Sequence, residues 1–76
     1  MPRYFFDIVD DDGVTRDPEG SELSSPALAM DEARATAREM LADSLRAGRR
    51  IDARRFDITN ESGQVVGTLA FRDLLS

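Results

Sequence analysis

The chain contains no cysteine, no histidine, no tryptophan and no lysine. Each absence closes a route to chemistry. Without cysteine there are no disulfides and no thiolate metal sites. Without histidine the commonest general base and the commonest transition-metal ligand go together. Ser24, Ser25, Ser44, Ser62 and Thr59 are hydroxyls with no histidine to activate them and no lysine as a substitute base. Carboxylate pairs remain for acid–base work, yet no spacing singles one out. No glycine-rich phosphate loop follows a strand and opens a helix. The expectation is a protein without catalytic activity, without a cofactor and without a metal.

Long apolar runs are missing too. Nothing approaches the roughly 20 residues that span a bilayer, and the opening Met-Pro-Arg-Tyr-Phe-Phe-Asp has no signal-peptide core. A cytoplasmic protein with no membrane contact is expected. The formal net charge of −5 argues against generic binding to nucleic acid or anionic lipid. All ten basic residues are arginine. That suits bidentate anion recognition, but a genome whose base composition favours arginine codons gives the same result, and the second reading weighs more.

What is present suits one folded domain over residues 1–76, with 41% hydrophobic and 33% charged residues. A chain this short buries only about 60% of its unfolded surface, so its stability margin is thin. With disulfides and metals excluded, self-association is the remaining source of extra stability.

Residues 3–9 are aromatic and β-branched and read as a strand. Alternation sets Tyr4, Phe6 and Ile8 on one face and Arg3, Phe5, Asp7 and Val9 on the other. Asp10-Asp11-Asp12-Gly13 is a turn, Val14-Thr15-Arg16 a short return strand, and Asp17-Pro18-Glu19-Gly20 a second turn. Ser24-Ser25-Pro26 starts a helix that nothing breaks before Ala47, with Gly48 as its stop. Counting at 100° per residue, Met30, Ala33, Ala37, Met40, Leu41, Ser44 and Leu45 share one buried arc. Residues 54–59 form a third strand with Phe56 and Ile58 inward, and Asn60-Glu61-Ser62-Gly63 is a hairpin loop. Residues 64–71 form a fourth, apolar on both faces: Val65, Leu69 and Phe71 on one, Val66 and Ala70 on the other.

The class is therefore α+β, strand–strand–helix–strand–strand, with a four-stranded sheet and one long helix on one face. Strands one and four are apolar on both faces, which predicts the order 2-1-4-3 with those two central. One helix covers one face of a sheet. Phe5, Val9, Val66 and Ala70 then form a candidate homodimer face, with Phe5 as its anchor.

Two charge clusters invite functional readings. The acids Asp10, Asp11, Asp12, Asp17 and Glu19 suggest a divalent cation, since hard cations want clustered carboxylates. An EF-hand loop needs glycine at its sixth position, and counting back from Gly13 puts Ile8 at the first, so that motif fails. Two solvated turns are the simpler account. Arg46, Arg49, Arg50, Arg54 and Arg55 gather within ten residues around Gly48. The first 45 residues hold four arginines against eleven acids, and the remainder six against four, so the chain is electrically polarised. Complementing the helix dipole is the structural reading of that cluster. Contact with an acidic protein or a second copy comes next, and nucleic acid last, because few aromatics stand among the arginines and the domain is acidic. The Tyr4-Phe5-Phe6 run and the helix methionines read as packing residues.

The opening Met-Pro-Arg-Tyr-Phe-Phe-Asp, then Asp12-Gly13, Asp17 with Glu19-Gly20, and Glu22-Leu23 form a recognisable series. It continues through an alanine- and glutamate-rich helix to Ile58-Thr59-Asn60-Glu61-Ser62-Gly63 and a Val-Val-Gly-Thr-Leu-Ala-Phe strand. In order and spacing this resembles a family of small bacterial proteins known only as a domain of unknown function, over nearly the whole chain. Many members carry histidine where this chain has Asp7. The resemblance implies a shape and no activity, and any chemistry of that histidine is missing here.

The functional expectation is a homodimeric protein-interaction or regulatory module, with an unidentified protein partner as a further contact. The alternative is a nucleic-acid-associated regulator of the small antitoxin type, using the arginine-rich corner.

Overall fold

A computed structural model describes residues 1–49 and 54–75. Strand β1 runs Arg3–Asp10 and turns through Asp11 and Asp12 into β2, Gly13–Thr15. A two-residue strand β3, Ser21–Glu22, follows. Helix α1 spans Pro26–Arg46, strands β4 and β5 span Arg55–Thr59 and Val65–Ala70, and a 3-10 turn covers Phe71–Leu75. The sheet is antiparallel and five-stranded in the order β2-β1-β4-β5, with β3 also paired to β1. The α+β class stands. The count of four strands and the order 2-1-4-3 do not.

The strand beside β1 is β4, not the more apolar β5. Phe5 through Val9 pair with Thr59 through Arg55. The physical reason lies in local satisfaction of polar groups. Arg55 and Asp57 lie two residues apart on one strand and bind each other, Nε to Oδ1, at 2.9 Å. Their polarity therefore does not bar β4 from the centre. The valines that mark β5 as doubly apolar sit in the open instead, Val65 at 55% and Val66 at 40% exposure. A bulge at this end also shifts the register, so Ile58 faces Gly67 while Thr59 faces Val65.

The other edge of β1 is used in an unusual way. Strand β2 covers Ile8 to Asp10 and β3 covers Arg3 and Tyr4. Between them the Phe6 N–H donates to the Asp17 carboxylate at 3.2 Å. That carboxylate also accepts from the Glu19 and Gly20 N–H groups, so one side chain both ties the turn and fills the gap between two strands. Gly20 has φ +70, and a Cβ there would meet the Tyr4 carbonyl oxygen at 2.8 Å. Only glycine lets the chain pass so close to β1.

Helix α1 begins and ends where its sequence says. Ser25 Oγ accepts the Leu28 N–H, and Pro26 opens the first turn. At the far end Gly48 N–H reaches the Leu45 carbonyl and Arg49 N–H the Ser44 carbonyl, a Schellman closure with Gly48 at φ +71. Ala29, Ala33, Ala37 and Leu41 are the buried row, with Met30 and Met40 beside it. Alanine lets the helix approach the sheet closely; a Cβ on Gly67 would touch the Met30 methyl at 3.0 Å. Leu45 departs from the predicted stripe and is 60% exposed. A row at four-residue spacing rotates about 40° per step, and a 21-residue helix of about 31 Å overhangs five- to eight-residue strands.

The core is completed by Tyr4, Phe56, Ile58, Leu69 and Phe71. Phe56 meets Phe6 edge-on at 6.1 Å and Phe71 at 5.0 Å, separations at which aromatic pairs add to area burial.

Candidate functional site

Two surfaces carried the sequence-based candidates: the sheet face turned away from α1, and the arginine-rich stretch between the C-terminal end of α1 and the start of β4. Strand register arranges that outer face in three rows. One runs Val14, Val9, Arg55, Ala70 across the four strands. The next runs Asp7, Asp57, Thr68, and the third Phe5, Thr59, Val65. The predicted dimer face is thus divided. Val9 and Ala70 sit in the first row, Phe5 in the third with Val66 in the bulge beside it, and a carboxylate row separates them.

Parts of this face are filled by the chain itself. Asp7 is only 4% exposed and Thr59 only 7%. The Asp7 carboxylate accepts the Asp17 N–H at 2.9 Å and the Arg16 guanidinium at 3.4 Å. It pins the Arg16–Asp17 corner to β1, which is a structural role. Phe5 is half-buried, with Gly20 so close that a Cβ there would lie 2.9 Å from its ring.

The arginines do not form one patch. Arg46 binds Asp43 one helical turn back at 2.7 Å, with both side chains largely exposed. Arg55 binds Asp57; that hydrogen bond and the charge of Asp57 raise the guanidinium above its ordinary value, against a small desolvation effect. Arg50 lies outside the described residues. Arg49 and Arg54 line a groove of about 340 Å³ with Met40, Asp43, Ser44 and Ala47. Arg54 also lines a second groove, of about 290 Å³, beside Arg55 and the exposed Arg72. Val9 and Ala70 belong to it, and Asp10 and Asp11 of the first turn complete it. Acidic and basic clusters that lie some 45 residues apart in the chain thus share one depression.

Sequence reasoning missed Arg72. Its position just after the last strand was the available signal, because β5 pairs with β4 and so returns residue 72 to the start of β4. The acids themselves do not converge. Among the described residues no three acidic side chains come together as a cation site would need.

Residues 3–72 match the family described as a domain of unknown function, DUF6894. The chain belongs to the DUF6894 family. No curated protein and no solved structure shows significant similarity to this DUF6894 chain. Among its described residues no helix is long and apolar enough to cross a membrane.

Proposed function

We propose that this DUF6894 chain is a small homodimeric module without catalytic activity that acts by contact, as an interaction or regulatory partner. One observation carries the reading. Among the described residues α1 is the one α-helix and covers one face of the sheet, while the other face runs through Val9 and Ala70 into a groove bearing both signs of charge. Protein contacts set apolar area inside a polar, charged rim, and Val9 and Ala70 lie here among Asp10, Asp11, Arg54, Arg55 and Arg72. Asp10 and Asp11 against Arg54, Arg55 and Arg72 suit a partner segment that also carries both signs. Phe5, Val9, Val66 and Ala70 supply apolar contact area, and Arg49, in the neighbouring groove against α1, offers a partner a further positive charge.

Sedimentation velocity across a concentration series tests the homodimer. A dimer is expected at micromolar concentrations, and a monomer persisting to high micromolar overturns the reading. The nucleic-acid alternative draws less support from this geometry. Arg46 and Arg55 are engaged by carboxylates, and acids stand in the groove that would meet phosphates. A gel shift with pooled genomic DNA and total RNA at low salt checks it. Binding lost in Arg49→Glu and Arg72→Glu would revive that alternative.

A further inference from the structure

The two edges of the sheet are built differently. On one side β2 has three residues and β3 two, the Asp17 carboxylate closes the gap between them, and the acidic turn flanks β2. Shortness and charge are how proteins protect an edge from pairing. On the other side β5, Val65–Ala70, has six residues with no charge and no proline. Among the described residues nothing pairs with its outer edge. Exposed valines at positions 65 and 66 add apolar area there.

The hydrogen-bond phase of that edge follows from one contact. The Phe71 N–H donates to the Arg54 carbonyl at 2.9 Å. In an antiparallel ladder bonded pairs alternate with non-bonded ones. Pairs 56–69 and 58–67 are therefore bonded, whereas Thr68, opposite Asp57, and Ala70, opposite Arg55, turn their N–H and C=O groups outward. A strand with outward groups at alternate residues is complementary to itself under a two-fold axis.

We propose that a second copy of this chain pairs with β5 through its own β5, antiparallel about a two-fold axis at Leu69. Thr68 of each copy then faces Ala70 of the other, and the two sheets become one. The copies are acidic overall, but β5 brings no charge to the seam, so the strands meet without like-charge opposition. The outer faces join into one surface, and Ala70 and Arg72 bring the mixed-charge groove of each copy up to the seam. This rests on the homodimer reading above and says which surface makes the dimer.

Sedimentation of the wild type, Thr68→Pro and Val14→Glu decides the matter, together with amide exchange by NMR. Proline at position 68 removes an outward N–H and leaves the β4 ladder intact, the edge location where strands tolerate it. Each dimer loses two such bonds by symmetry, so the dissociation constant should rise at least about tenfold. Val14→Glu places a charge on the outer face far from β5 and should leave the dimer unchanged. In wild type, Thr68 and Ala70 amides should be protected at dimer concentrations and exposed on dilution, while Leu69 stays protected in both. A wild-type monomer overturns the homodimer reading itself. A dimer that survives Thr68→Pro, breaks with Val14→Glu, or leaves the Thr68 and Ala70 amides unprotected overturns the edge pairing alone. The exchange measurement needs no variant, so a misfolded Thr68→Pro does not spare the proposal.

Discussion

Replacing Asp17 with alanine removes one carboxylate and frees three backbone donors, those of Phe6, Glu19 and Gly20, each at 3.2 Å. The Glu19 N–H is exposed and recovers its bond from water. The Phe6 and Gly20 donors are partly buried, and for these the loss approaches the cost of an unsatisfied donor, about 1–3 kcal/mol each at full burial. Partial burial and long bonds reduce the sum to about 2–3 kcal/mol. Small domains hold about 0.05–0.15 kcal/mol per residue, or roughly 4–11 kcal/mol for this one. The variant should therefore lose roughly a fifth or more of its stability. In thermal unfolding each kcal/mol moves a domain this size by about 4–8 °C, so the midpoint should fall by roughly 10–20 °C. Asp17→Asn sharpens the test. It keeps one oxygen of the two, so either Phe6 or the Glu19–Gly20 pair loses its acceptor, and the cost should be about half. Urea titration of all three proteins, read by circular dichroism, supplies the comparison. An alanine variant within about 0.5 kcal/mol of wild type, the range of an ordinary surface change, would refute the view that Asp17 fills a strand's place on β1.

Gly20 and Gly48 both have φ near +70, but only at Gly20 does a Cβ meet backbone. Gly48→Ala should cost about 1 kcal/mol of conformational strain, and Gly20→Ala clearly more, as measured by urea midpoints; equal costs would mean that the close approach to Tyr4 is unimportant. Leu41→Ala should cost about 2–4 kcal/mol because the site is buried. Leu45→Ala should change stability by less than about 0.5 kcal/mol, and a larger loss would place Leu45 in the core after all.

The sequence was most legible where a single residue type has one local use. Ser25 and Pro26 announce the start of α1, Gly48 its end, and the alternation of Tyr4, Phe6 and Ile8 the inward face of β1. The family resemblance likewise survives comparison over residues 3–72. Strand order was not legible, because doubly apolar character marks the centre of a sheet only when polar residues have nowhere else to bond. Arg55 and Asp57 bond each other on their own strand, and that pairing needs side-chain geometry to be seen. Asp17 reads as a turn residue, which it is, and nothing in its neighbours foretells that its other oxygen caps Phe6 from eleven residues away. The groove joining Asp10 and Asp11 to Arg72 was invisible for the same reason, being a product of register rather than spacing.

The pairing of β1 with β4 also dictates the order of events in folding. Phe5 faces Thr59 across 54 residues, and closing a loop of that length costs roughly 3.5 kcal/mol of chain entropy before any contact offsets it. The β4–β5 hairpin and α1 involve only near neighbours in sequence and can form first. In pulse-labelled refolding, amides of β1 that bond to β4 should gain protection no earlier than those of the β4–β5 hairpin. In synthesis β1 thus precedes by 54 residues, at the Phe5–Thr59 pair, the strand that completes its pairing.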